Sequence, residues 1–315
     1  MKIIKKSISH IFEKLGYKIV KRRHILIKNV FQTKYTKKVL ISYIANPFLS
    51  GIEYKHSNEL ECYTAAKIFD KLGYQVDVVN YDETDLMPEE LLKYDVIYGF
   101  GEPMEQSFYV STTKKIKRII YSTGCNTIYS NTVSSLRLRE FQKRHKILLA
   151  HSTRIAPSTW KLQTILSDAI IVLGNSFVLN TFSQESNYMP IYSLNAFYFK
   201  KNSIDLNKKN FSESQRNFIW FGSTGAIHKG LDLLIDLFQN YPNINLHICG
   251  LKEQEFISYY QEIIEKSKNI INHGFVNIES PLFRKLMLSC GAIVYPSASE
   301  GGAVAVLNVL GDRKS

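Results

Sequence analysis

Two stretches of the chain carry residues suited to holding a phosphate-bearing ligand. One is Phe218-Ile219-Trp220-Phe221-Gly222-Ser223-Thr224-Gly225-Ala226-Ile227-His228-Lys229-Gly230, and the other is Tyr295-Pro296-Ser297-Ala298-Ser299-Glu300-Gly301-Gly302. Each reads as an apolar strand running into a loop of small residues and then a helix. That order points backbone N–H groups and the positive end of a helix dipole at one place, an arrangement that suits a diphosphate. Lys229 adds a cation beside the first loop, and Glu300 adds a carboxylate on the second. Phosphate-binding turns with one acid close by suit a nucleotide diphosphate carrying a sugar.

The elements that must position these loops read as α/β throughout. Val39–Ile44, Val76–Val79, Asp95–Gly101, Arg118–Tyr121 and Ala169–Leu173 are apolar runs of strand length separated by helical patterns, which predicts a doubly wound parallel sheet. Asn58 and Glu61 form a capping-box-like start to a helix that ends before Gly73. A polar stretch at 201–216 reads as a linker. Beyond it, Leu231, Leu234, Ile235 and Phe238 recur at helical spacing behind the first loop. Leu246–Gly250 is a strand, and Ser280 with Pro281 opens a further helix. The predicted organisation is an N-terminal arm over 1–37, a first domain over 38–200, the linker 201–216 and a second domain over 217–315.

The chain's 315 residues allow two domains, each with its own core. Its net charge of +12 is unevenly placed. Residues 1–38 hold twelve Lys and Arg against the single acid Glu13, so +11 of the charge lies in the arm and the remainder is close to neutral. Ile4, Ile8, Ile11, Phe12 and Leu15 recur at helical spacing among those lysines. An amphipathic helix on an anionic membrane surface is the leading reading. A solvated helix docked on its own protein and a nucleic-acid contact are the alternatives, and no RNA-binding or zinc pattern supports the last. No run is long and apolar enough to span a membrane, and the N-terminus lacks a signal-peptide core. The four cysteines have no paired or metal-like spacing, which predicts a reduced, cytoplasmic protein.

Phe221-Gly222, Lys229-Gly230-Leu231-Asp232-Leu233-Leu234 and Pro296-Ser297 with Ser299-Glu300-Gly301 resemble the donor domain of the large family 4 of retaining GT-B glycosyltransferases, which includes bacterial surface-polysaccharide enzymes. The likeness covers about residues 217–310; the first half resembles the family only in its strand–helix pattern. The resemblance implies two Rossmann-like domains facing a cleft. It also implies hexosyl transfer from a nucleotide-diphosphate sugar to a glycan or lipid-linked acceptor, with configuration retained, no cofactor and no obligatory metal. It places Lys229 and Glu300 at the catalytic centre. Donor-binding positions are Gly222, Ser223, Thr224, His228, Gly301, Gly302 and Asn308, the last standing where relatives often carry a ribose-binding glutamate. Thr224 stands where relatives commonly have an arginine, so one phosphate-binding charge is missing unless His228 or another basic residue replaces it. His56, Tyr121–Gly124 and Gly174–Ser176 are candidate acceptor-side groups. The family continues past the position of Ser315, so the donor domain is expected to be incomplete and the isolated chain poorly stable and weakly active. The expected setting is the inner face of the cell membrane. Two other readings stay open on the same residues: a sugar-nucleotide epimerase or hydrolase, and a non-catalytic nucleotide-sugar-binding scaffold.

Overall fold

The computed structural model describes residues 26–49, 57–157, 160, 162–183, 187–196 and 205–311. His56 and residues 1–25 of the basic arm lie outside them. Eleven strands form two sheets among the described residues. The first contains β1 (Leu26–Ile27), β2 (Lys37–Tyr43), β3 (Tyr74–Asn80), β4 (Val96–Gly99), β5 (Lys117–Ser122), β6 (Ala169–Leu173) and β7 (Ile191–Leu194), in the order β1-β3-β2-β4-β5-β6-β7. All neighbours are parallel except β1, which pairs antiparallel with β3 at the edge and draws Leu26 and Ile27 of the arm into the sheet. The second contains β8 (Asn217–Phe221), β9 (Asn245–Cys249), β10 (Ile270–Asn272) and β11 (Ala292–Ile293), all parallel, in the order β10-β9-β8-β11.

Alternation along the strands builds a core on each face. In β2, Val39, Ile41 and Tyr43 face α1 (Ser57–Lys71) and pack on Cys62, Ala66 and Phe69, while Leu40 joins Leu91, Tyr94, Ile97 and Met104 behind the sheet. In the second sheet Trp220, Leu246 and Ile248 pack on α3 (Leu231–Phe238) and α4 (Gln254–Lys266). Ile219 and Cys249 pack on α5 (Pro281–Ser289) and on Val309 of α6 (Val304–Gly311). Ser280 caps α5, accepting a hydrogen bond from the Phe283 N–H, with Pro281 at its first turn. Cys62, Cys125, Cys249 and Cys290 are all buried free thiols.

Strand order reverses at β2 in one sheet and at β8 in the other, and such switch points are where open parallel sheets leave a crevice beyond their carboxyl ends. Residues following β2, β4, β5, β8, β9, β10 and β11 all line one cavity of about 1750 Å³ between the halves. That exceeds the roughly 300–1,000 Å³ usual for a single small ligand and leaves room for two.

One element escapes the apolar pattern. The longest helix of the described chain, α2 (Thr127–His145), has only Ser134 and Phe141 buried, so no hydrophobic stripe announces it. It joins the two halves through polar contacts. Phe141 enters the core of the second half, as does Leu149 just beyond the helix. Arg144 pairs with Asp232 and Asp236, and His145 Nε2 lies 2.9 Å from Asp236. The Tyr260 hydroxyl also donates to Asp236, at 3.0 Å.

Asp232 is fully buried and Arg144 is its cation. Replacing Arg144 with Met leaves that carboxylate unpaired. The expected loss is roughly 2 kcal/mol, toward the low end for a buried pair because 34% of the Arg144 side chain stays exposed. A lower Tm for Arg144→Met, largely recovered in the Arg144→Met/Asp232→Asn pair, is the expected outcome, and an unchanged Tm in the single variant refutes it.

Candidate functional site

The first loop leaves β8 at Phe221 and returns into α3 at Leu231, with Gly230 in the left-handed region (φ 70°) where a side chain would strike the Pro296 carbonyl at 2.4 Å. A residue with Cβ would push the two loops apart. They are held together directly: the Ala298 N–H donates to the His228 carbonyl at 2.8 Å, and His228 Nε2 donates to the Ser299 carbonyl at 2.9 Å.

His228 therefore does something other than offer a cation to phosphate. It is 1% exposed, and burial lowers its pKa. With Nε2 protonated toward Ser299, Nδ1 of the neutral imidazole shares the Ser134 hydroxyl proton of α2, 2.8 Å away, with the Ser130 carbonyl at 2.7 Å. His228 braces both loops against the first half of the chain. Further contacts tie the second loop to that half: Ser130 Oγ to Ser299 Oγ at 2.9 Å, Arg137 Nη2 to the Pro296 carbonyl at 3.2 Å, and Cys125 Sγ to the Glu300 carbonyl at 3.3 Å.

Lys229 is 5% exposed and donates from Nζ to Ser223 Oγ at 3.1 Å. Ser223 lines the cavity, so the ammonium lies one hydrogen bond behind the cavity wall. Burial pushes its pKa down to about 8; Arg154 and Lys252 add to the fall, while Glu300 and Glu253 oppose it. Glu300 lines the cavity directly. Its Oε1 accepts from the Ser297 hydroxyl at 2.9 Å and the Tyr295 hydroxyl at 3.2 Å, and Oε2 accepts nothing from the described residues. One carboxylate oxygen is thus fixed by the protein and the other is left for a ligand hydroxyl.

The backbone donors differ in part from the sequence expectation. The Gly222 N–H extends the β8–β9 ladder by donating to the Cys249 carbonyl at 3.0 Å, so it is not open to a ligand. Gly225 and Ala226 N–H both donate to the Glu253 carboxylate, which precedes α4. Ser223, Gly301 and Gly302 N–H donate to no other described residue, and these residues line the cavity. Glycine is required at 301 by close approach, because a Cβ there would lie 2.2 Å from the Thr123 carbonyl. The start of α6 adds Ala303 and Val304 to the same wall, and Asn308 one turn further in. Asn308 Oδ1 is buried with no hydrogen-bond partner, an acceptor open to a ligand hydroxyl. Thr224 is exposed and not part of the wall.

Across the cavity the first half contributes a different chemistry. Of its sequence candidates, Ser122, Thr123 and Gly124 line the cavity. The Gly174–Ser176 segment does not; Asn175 is occupied in capping the next helical turn, accepting from Phe177 and Val178 N–H. Sequence reasoning missed Glu59, Glu61, Asp82 and Glu102, and the rings of Tyr43, Tyr81, Phe100 and Trp160, all on this wall. Tyr43 donates to Glu61 Oε2 at 2.7 Å, and burial raises the Glu61 pKa. The wall thus offers carboxylates for hydroxyl groups and rings for the apolar faces of a sugar.

Residues 202–310 match the model of a family described as glycosyl transferases group 1. No curated protein matches the chain in sequence. Among solved structures, sucrose-phosphate synthase from Thermosynechococcus elongatus is similar over 87% of this chain and 79% of its own, at 12% identity and a TM-score of 0.55. HepE from Anabaena in complex with UDP and glucose is similar over 88% and 78%, at 13% identity and 0.49. A TarM variant from S. aureus, solved with fondaparinux, alpha-GlcNAc-glycerol and UDP, gives 13% identity and 0.44 over 68% of this chain. The chain spans 39% of that protein's length. The fold is GT-B, two Rossmann-like parallel-sheet units facing a cleft, as the sequence predicts.

The depressed Lys229 pKa gives a pH dependence for anion binding. Protonated Lys229 favours an anion, so affinity is full below about pH 8 and weakens as pH rises through that value. A phosphate with a second pKa near ~6 keeps its charge over this range, so the slope belongs to the protein. Calorimetric titration of ADP from neutral to alkaline pH reads it. A flat profile, or the same slope in Lys229→Met, contradicts the assignment.

Proposed function

We propose that the chain is a glycosyltransferase that moves a hexose from a nucleotide-diphosphate sugar to a glycan or lipid-linked acceptor, with the anomeric configuration retained, in the synthesis of a cell-surface polysaccharide. The observation that carries the reading is one cavity wall that combines free backbone N–H groups, a buried ammonium one hydrogen bond behind them through Ser223, and a half-engaged carboxylate, Glu300, beside them. The family match over 202–310 supports it. The bond from the anomeric carbon to the diphosphate oxygen breaks, and the departing group keeps the electron pair. Lys229 and the N–H groups of Ser223, Gly301 and Gly302 are preorganised for that developing charge, which makes the stabilisation electrostatic. Glu300 Oε2 holds a sugar hydroxyl, and Asn308 Oδ1 a ribose hydroxyl. The acceptor, seated along the wall of carboxylates and rings, brings its hydroxyl oxygen to the anomeric carbon on the face the diphosphate leaves, as retention requires. The new glycosidic bond forms and the hydroxyl proton passes to the departing diphosphate oxygen.

Lipid-linked acceptors reside at the membrane, and the arm over 1–38, with its +11, would hold the enzyme on an anionic inner face. Among the described residues no helix is long and apolar enough to cross a membrane. Co-sedimentation of the chain with vesicles containing phosphatidylglycerol, reversed by salt, is expected; equal sedimentation with phosphatidylcholine vesicles argues against it.

Thermal melts with UDP-, GDP- and ADP-sugars test the central reading, because a ligand of the folded state raises apparent stability by RT ln(1 + [L]/Kd). At least one raises Tm. Lys229→Ala and Glu300→Ala each remove the rise while leaving the unliganded melt little changed. A rise that survives both substitutions puts the site elsewhere, and the absence of any rise favours a scaffold. Hydrolysis or isomerisation of a nucleotide-sugar with no acceptor present would favour the epimerase reading.

A further inference from the structure

Arg154 comes from the first half of the chain yet is fixed beside the first loop of the second. Both of its flanks are pinned. On one side Leu149 is buried in the second half's core, His151 N–H and Ser152 Oγ donate to Glu255 Oε2 at 3.0 and 3.2 Å, and the Ser152 carbonyl accepts from Ile227 N–H at 2.9 Å. On the other, Ala156 and Asn131 of α2 exchange a reciprocal pair of hydrogen bonds, at 2.9 and 3.1 Å. Between these pins Arg154 lies against Gly225, where a Cβ would meet the Arg154 Cβ at 3.2 Å. Its side chain lines the cavity together with Ser223, Glu300 and Lys252, and among the described residues it has no hydrogen-bond or ion-pair partner.

Arg154 is exposed at this wall, and with no carboxylate against it among the described residues its guanidinium is open to an anion. We propose that Arg154 is a donor-contacting residue that binds the diphosphate together with Lys229, so that the nucleotide is clamped by both halves of the chain. This inference rests on the nucleotide-sugar reading of the cavity. Guanidinium remains charged at every working pH and meets phosphate oxygens in pairs, whereas Lys229 sits buried and is a single point charge. The two cations repel one another: Arg154 lowers the Lys229 and His228 pKa values. A bound diphosphate relieves that repulsion, so the two positive groups are matched to a ligand carrying more than one negative charge.

The test uses calorimetric titration of the full chain with UDP, GDP and ADP across neutral to alkaline pH. Arg154→Gln weakens the best of these ligands by roughly 10- to 100-fold, the range expected for a hydrogen bond to a charged group, and Arg154→Lys recovers part of the loss. The matching nucleoside, without phosphate, binds wild type and variant alike. The groups that set the Lys229 charge are Glu300, Arg154, Glu253 and Lys252, with His228 as its chain neighbour. Removing Arg154 removes one that opposes protonation. The alkaline limb of binding therefore moves to higher pH in Arg154→Gln even as affinity falls; a residue that only shaped the loop would lower Tm without moving the limb. Undiminished affinity and an unmoved limb in Arg154→Gln, with binding lost in Lys229→Ala, overturn the Arg154 assignment alone. Failure of wild type to bind any of the three removes this inference and the transfer reading together.

Discussion

An ammonium group held almost out of water is the constraint around which the cavity is arranged. Among the described residues Lys229 has a single side-chain hydrogen bond, to Ser223, where a protonated amine can donate three. Burial disfavours its charged form, and the nearby carboxylates Glu300 and Glu253 offset that only in part. Neither carboxylate is hydrogen-bonded to it, for Glu253 is committed to Gly225 and Ala226 N–H, and Glu300 Oε1 to Ser297 and Tyr295. An anion at the wall would supply the charge that these carboxylates leave unmatched. Preorganised positive groups that need not move at the moment of reaction are what a departing diphosphate requires.

Holding such a site together falls to the junction between the halves. Neither loop is self-sufficient, because the second loop's carbonyls at Pro296, Ser299 and Glu300 all accept from side chains outside it: Arg137, His228 and Cys125. Two of those three lie in the first half. α2 is amphipathic in an unusual sense, since its contacts toward the second half are two serines, two arginines and a histidine with Phe141 and the half-buried Leu138, rather than a continuous apolar stripe. Polar junctions of this kind fix geometry more tightly than they stabilise, because their hydrogen bonds are satisfied only in one relative placement.

Legibility in the sequence followed this division. β2 to β6, β8 and β9 are buried parallel strands, so their apolar runs were visible, and so was the α3 face behind the first loop. β7 at the sheet edge exposes Tyr192 and Leu194, and β1 and β10 are two and three residues long, so none of the three carries a readable period. α2 was invisible for the reason given above. Lys229, Glu300 and Asn308 could be found because local strand–loop–helix chemistry surrounds them. Arg154 could not, since nothing near it in sequence refers to Gly225, and its placement depends on contacts to Ile227 and Glu255 far along the chain. His228 was legible as a residue of the site but not in its role, because its partner Ser134 lies 94 positions away.

The two walls of the cavity also explain how one pocket can keep two substrates apart. One end of the cavity gathers Lys252, the loop above Lys229 and, from the first half, Arg154, with Glu300 and Glu279 also on the second half's wall; the rest of the first half's wall carries Glu59, Glu61, Asp82 and Glu102 with four aromatic rings. A diphosphate placed against the acidic wall would meet like charge, whereas sugar hydroxyls find acceptors and ring faces there. An uncharged sugar gains nothing comparable among the cations. Orientation therefore follows from charge before any close fit is made. Glu300 sits where the two chemistries meet, hydrogen-bonded through Oε1 to its own loop and open at Oε2, the placement that the proposed transfer asks of a group holding the sugar while its phosphate side is bound elsewhere.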